Sequence, residues 1–180
     1  MEEPEINDST ADIEKLLAAE KEGNDLAKAL DPMMKKMLLG GQNPQSAIGM
    51  SKDILESIYS QAYRLYNNGK YTDSAHLFRI LIMMNAMETK YVLGLAACFQ
   101  MLKDYGNAIH TYTMCSAIDI DNPLPHYHSS DCFIHLKDYL SAMVSLELTI
   151  ARTENKPEYS KIRERALLSL ENLKSLIAQK

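Results

Sequence analysis

A register of 34 residues runs through the middle of this chain and restricts its possible folds more than any other feature. Tyr71, Tyr105 and Tyr139 recur at that interval. Lys70, Asp104 and Asp138 stand just before them, Ser74, Ala108 and Ala142 three residues after, and Phe78, Tyr112 and Leu146 follow in the same phase. Upstream, the small residues Ala62, Ala96 and Ser130 and the bulky residues Leu65, Phe99 and Phe133 keep the same spacing. One match of this kind carries little weight, but three in strict phase define a repeat.

This period, with small and aromatic positions in this order, is the tetratricopeptide pattern of two antiparallel helices per unit. The small residue sits where the paired helix must approach closely, and the bulky one fills the seam three residues later. Each unit leaves an apolar face that only its neighbour can cover, so stability comes from stacking. The expected fold is all-α: a solenoid of three helix pairs at 55–88, 89–122 and 123–156 within a segment 51–156, with N-terminal helices before it and a capping helix at 157–180. Repeats of this kind offer a concave surface suited to an extended peptide.

Composition narrows the function. A hydrophobic content of 46% in 180 residues suits a globular helical protein. A net charge of -5 argues against nucleic acid, whose phosphates demand a clustered excess of Lys and Arg. Even the longest apolar runs, such as Ile80 to Met84, are far short of the roughly 18 to 20 residues that span a bilayer. The start Met1-Glu2-Glu3-Pro4-Glu5 is the opposite of a basic, apolar signal peptide, so the protein is expected to stay in the cytosol. Cys98, Cys115 and Cys132 lie half a repeat apart, at equivalent packing positions on successive helices, and read as reduced core thiols.

Residues 1–11 are acidic and polar and read as disordered. In the segment 12–50, apolar residues from Ile13 through Leu16, Leu17, Leu26, Ala27 and Leu30 suggest an amphipathic helix, weakened at Gly23. Asp31-Pro32 starts another, carrying Met33, Met34, Met37 and Leu38 and ending at Gly40-Gly41. The methionine cluster offers either an interface or a docking face for the first repeat. Ser51 is a suitable N-cap, Asn68-Gly69 a turn within the first pair, and Asn122-Pro123 the opening of the third. Pro157 starts the last helix, whose apolar stripe is Ile162, Ala166, Leu170, Leu173 and Ile177.

In each repeat the second, fifth, ninth, twelfth and thirteenth residues face the groove. The register thus assigns to it Glu56, Tyr59, Tyr63, Tyr66 and Asn67, then Lys90, Leu93, Ala97, Gln100 and Met101, then Leu124, Tyr127, Asp131, Ile134 and His135. The three tyrosines share one face, four and three apart; such a stripe is ordinarily packing, but here the register independently turns it to the groove, and tyrosine combines a rigid apolar body with a polar tip. His128, Cys132 and His135 fall at i, i+4 and i+7, with His126 and Asp131 nearby, a spacing a zinc site would tolerate. Ligands drawn from one straight helix are unusual, however, so neither a metal nor any other cofactor is expected. No glycine-rich phosphate loop, nucleophile elbow or HExxH motif is present, and the chain does not read as an enzyme.

Several local runs exceed what a generic repeat requires: Leu39-Gly40-Gly41, Ile58-Tyr59 with Ala62-Tyr63 and Tyr66, Gly69-Lys70-Tyr71, Leu93-Gly94-Leu95-Ala96-Ala97-Cys98, and Tyr105 with Ala108-Ile109-His110. Through them the stretch from Leu38 to Asp121 resembles the class II chaperones of bacterial type III secretion, which hold hydrophobic translocator proteins. The resemblance implies a cytosolic homodimer that binds an extended segment of one or two secreted translocator clients in its groove, with Tyr59, Tyr63 and Tyr66 as groove aromatics. It also implies dimerisation through residues 13–39, with Leu30, Met33, Met34 and Met37 as the candidate contacts. Ser74 replaces the family's usual alanine. The third unit, with His126, Ser130 and Asp131, is more polar and so suited to a different client residue.

The expected function is therefore an ATP-independent chaperone, binding through Tyr59, Tyr63, Tyr66, Lys90, Leu93, Ala97, Gln100, Tyr127 and Asp131. The runner-up is a generic peptide-binding adaptor or a co-chaperone clamping a C-terminal carboxylate, and behind it stands a metal-dependent enzyme built on the His128, Cys132 and His135 face. The carboxylate clamp needs Lys and Asn at positions held here by Tyr59, Tyr63, Gly94, Leu124 and His128.

Overall fold

The computed structural model describes residues 51–178. The amphipathic segment, the methionine cluster and the candidate dimer contacts Leu30, Met33, Met34 and Met37 lie outside the described residues. Within these residues are seven α-helices: α1 (Lys52–Asn67), α2 (Tyr71–Met84), α3 (Thr89–Met101), α4 (Tyr105–Ile118), α5 (Leu124–His135), α6 (Tyr139–Arg152) and α7 (Ser160–Ala178). Each packs against the next, and α1 meets α3 and α3 meets α5 directly, so the first helices of the three repeats form one continuous layer. None of the described helices is long and apolar enough to cross a membrane.

The residues of the register explain where helices begin and end. Ser51 accepts a hydrogen bond from the Ile54 amide, Asp104 from that of Asn107 and Asp138 from that of Ser141, each capping a helix. These bonds hold the fully exposed Asp138 carboxyl below its ordinary pKa. At the other end, the Gly69 amide bonds to Tyr66 O and that of Lys70 to Leu65 O, closing α1 with a left-handed residue at Gly69 (φ 76°). One and two repeats later the same bonds recur around Lys103 and Lys137, both at φ 62°. Here two lysines hold a conformation that glycine adopts without cost.

The core follows the register as well. Ala62, Ala96 and Ser130, Ser74, Ala108 and Ala142, and Phe78, Tyr112 and Leu146 are all buried. Ser74 satisfies its hydroxyl by donating to Ala62 O across the helix pair at 2.8 Å, and accepts from the Cys98 thiol at 3.3 Å. Serine at an alanine position therefore leaves no unpaired polar group. Cys98, Cys115 and Cys132 are unpaired and fully buried, and burial pushes their thiols up, to about 11 for Cys115 and about 12 for Cys132. Such thiols are poor nucleophiles and serve as small core residues.

At the C-terminal end, Ala166, Leu170 and Leu173 of α7 bury against Ala142 and Leu146 of α6. Two expectations need adjustment. Pro157 opens a single 3-10 turn (Pro157–Tyr159), closed by the Tyr159 amide on Lys156 O, and α7 starts only at Ser160. Ile177, expected on the buried stripe, remains 38% exposed, since the helix has by then run past the side chains of α6 that bury its earlier turns.

Candidate functional site

The first helices of the repeats carry the candidate site. On α1, Tyr59, Tyr63 and Tyr66 follow one helical face. Tyr59 stacks on Tyr63 (centroids 6.4 Å, planes 21° apart) and turns an edge to Phe78 at 6.1 Å. It also leans on Tyr91 at 5.8 Å, while Tyr66 sets its ring edge-on to Tyr71 at 5.3 Å. Tyr59 and Tyr66 are half-buried and pack on the core of the first repeat; Tyr63 is 54% exposed. Two rings of the tyrosine stripe are thus fixed by packing on the core, and the third stacks on Tyr59 while remaining exposed.

These tyrosines wall an open cavity of about 220 Å³ together with Lys90, Leu93 and Ala97 of α3. The register had assigned all six to the groove. Its remaining lining is Gly94 and His128, two of the groove positions compared with a carboxylate clamp, and Phe78 and Tyr112, which the register places in the core alone. Phe78 and Tyr112, the repeat aromatics of α2 and α4, are buried in the core and line the cavity as well. Gly94 is a glycine inside a helix, which marks a close approach. A Cβ there would overlap the Phe78 ring, including Cε2 at 2.8 Å. One repeat on, His128 stacks over Tyr112 (5.7 Å, 18°), the counterpart of Phe78.

The other candidate residues lie further along. Gln100 accepts a hydrogen bond from the Tyr112 hydroxyl at 2.7 Å. Tyr127 does not line the cavity: it meets His128 edge-on at 5.4 Å and packs on the cluster of Ala142 and Leu146. Asp131 is half-buried on α5, and burial pushes its carboxyl above the ordinary value. Lys90 pairs with Glu56 of the preceding repeat and lies over the Tyr59 ring at 4.8 Å.

The cavity is too small for most cofactors, whose sites run to about 300–1,000 Å³, and its size suits an apolar side chain of a longer ligand. Among the described residues no cluster of His, Cys, Asp or Glu is arranged to hold a metal. The zinc-like face separates into different environments: His128 lies on Tyr112, His135 lies flat on Tyr105 at 4.6 Å, and Cys132 is buried. The carboxylate clamp is also unsupported: among the described residues the lysine that lines the cavity, Lys90, is already paired with Glu56.

Comparison with known proteins accords with this geometry. The tetratricopeptide repeat family matches residues 55–85 and 89–121. Low calcium response locus protein H of Yersinia pseudotuberculosis is 31% identical over 141 residues, covering 78% of this chain and 84% of the relative. Among solved structures, PcrH in complex with the chaperone-binding region of PopD is 30% identical, with a TM-score of 0.69 over 71% of this chain and 96% of that one. The type III secretion translocator chaperone SycD of Yersinia enterocolitica, solved in an alternative dimer, is 33% identical, with a TM-score of 0.67 over 69% and 95%.

Proposed function

Because the chain belongs to the tetratricopeptide-repeat chaperones of type III secretion translocators, we propose that it holds an extended segment of a hydrophobic translocator in the groove of its first repeat helices. The observation that carries this reading is the cavity itself, walled by three tyrosines and floored by Phe78. A rigid aromatic pocket immobilises few rotatable groups on binding, and an apolar client side chain seated there is withdrawn from water. Occupying an aggregation-prone segment in this way needs neither ATP nor catalysis, and it would take place in the cytosol before export.

The half-buried rings of Tyr59 and Tyr66 supply the walls, and the exposed Tyr63 closes over the bound segment. Lys90, held by Glu56, covers the Tyr59 face and fixes that rim of the cavity. Tyr63→Ala tests the assignment: co-purification of a co-expressed translocator should weaken about thirtyfold in affinity, the loss of a typical aromatic anchor, with helicity unchanged. Undiminished affinity would remove Tyr63 from the site.

A second part of the proposal concerns assembly. Residues 13–39, with Leu30, Met33, Met34 and Met37, would join two chains, since an amphipathic segment rich in methionine needs an apolar partner and two-fold pairing is the commonest arrangement. Sedimentation of the full chain against one starting at Gln42 should show a dimer and a monomer; equal monomeric masses would refute it.

A further inference from the structure

The repeat register extends the groove face beyond the tyrosine cavity, and its next position carries a charge. Tyr63, Ala97 and Asp131 occupy the same position in successive repeats, and the first two line the cavity. Asp131 lies one turn of α5 beyond His128, which also lines it. Among the described residues, no side chain donates a hydrogen bond to its carboxylate and no lysine or arginine pairs with it.

The neighbours that could have served it are committed elsewhere. The Tyr112 hydroxyl donates to Gln100 and His128 lies on the Tyr112 ring and is kept neutral by burial, while His135, one turn on along α5, lies flat on Tyr105 and acts on Asp131 through its charge without a hydrogen bond or ion pair to it. Lys90 pairs with Glu56 in the adjoining repeat. A half-buried carboxylate without a donor is costly to keep, and burial raises its pKa against the lowering pull of His135. The carboxylate is thus left open to a ligand.

We propose that Asp131 is a specificity residue of the groove, selecting a lysine or arginine of the bound segment. This rests on the groove-binding reading above and adds the chemistry of a second anchor. Neighbouring helices pack about 8–10 Å apart, and an extended chain advances about 3.3 Å per residue. The cation therefore stands about three residues from the apolar side chain seated among the tyrosines. Ammonium and guanidinium groups bring several donors in charge-assisted bonds, roughly twice as strong as neutral ones, so either outcompetes an amide or hydroxyl.

The test uses the full-length protein and short fluorescein-labelled synthetic peptides with one leucine anchor and, about three residues to either side, lysine, arginine, glutamine, norleucine or glutamate. On one side, lysine and arginine should bind about tenfold tighter than glutamate. Asp131→Asn should erase that ranking and Asp131→Lys reverse it, each at unchanged helicity. Charge-blind affinities in a protein whose binding still falls with Tyr63→Ala would overturn this inference and leave the groove reading intact. No capture of any peptide, or capture that survives loss of the three tyrosines, would overturn both.

Discussion

Glu56 and Lys90 hold the same register position in adjacent repeats and form an ion pair across the α1–α3 contact, with the Lys90 ammonium lying over Tyr59 at 4.8 Å and Tyr91 at 5.5 Å. Both side chains retain substantial exposure, 35% and 55%, so the pair positions more than it stabilises. A double-mutant cycle should give a coupling of about 0.2–1 kcal/mol. Lys90→Met, which keeps the stem against Tyr59, should cost less than Lys90→Ala. A coupling near 3 kcal/mol would mean the pair is a main tie between repeats.

Gly94 sets the depth of the cavity by letting the Phe78 ring approach the backbone of α3. Gly94→Ala gains about 1 kcal/mol of helix propensity but forces that ring aside, an overpacking cost of about 1–3 kcal/mol. The expected outcome is a net loss of stability together with weaker client binding, and both should recover when Phe78→Leu is added. Thermal melts and co-purification of the single and double variants check it; a Gly94→Ala protein with unchanged binding would show that the ring is not the cavity floor.

The left-handed residues give a prediction independent of function. Lys103→Gly and Lys137→Gly should each stabilise the fold by about 0.5–1 kcal/mol, and Gly69→Ala should destabilise it by about 1 kcal/mol. Urea denaturation of the three variants measures this. If both lysine variants lose stability, side-chain contacts at those positions outweigh the backbone strain.

Two groups in the third repeat respond to pH in opposite senses. Burial and the nearby Arg152 charge push His126 down to about 4, and its Nε2 has no hydrogen-bond partner among the described residues. Between pH 6.5, its ordinary value, and about 4 the unfolded chain takes up a proton that the folded chain resists, so stability falls with falling pH. His126→Gln should flatten that slope. Asp131 is raised by burial, so its contribution weakens as pH rises above its ordinary value of 3.8. Asp131→Asn should therefore melt higher at neutral pH and converge with the wild type in acid. Variants whose melting profiles run parallel to the wild type would contradict these assignments.

The sequence made the helix pairs legible because small and aromatic residues recur in phase with the contacts they make: Ala62 and Phe78 are buried for the same reasons as Ala96 and Tyr112. The groove was legible through the same register for Tyr59, Tyr63, Tyr66, Lys90, Leu93 and Ala97. What escaped it was three-dimensional. Phe78 and Tyr112 serve the core and the groove floor at once, and no periodicity separates those roles. The space opposite Gly94 depends on the rotamer of Phe78, and Tyr127 turns into its own repeat's core because Ala142 and Leu146 offer it an apolar surface. Lys103 and Lys137 do not announce a positive φ, whereas Gly69 does.

The central claim, that the tyrosine-walled groove holds the client, is tested most directly by placing a photo-crosslinking residue at Tyr63 and, as a control, at Val144, which is exposed on α6, in protein co-expressed with candidate translocators. Crosslinks to one extended client segment are expected from position 63 and none from 144, with the crosslinks lost when Tyr59 and Tyr66 are both changed to Ala. Equal crosslinking from both positions, or from 144 alone, would contradict it.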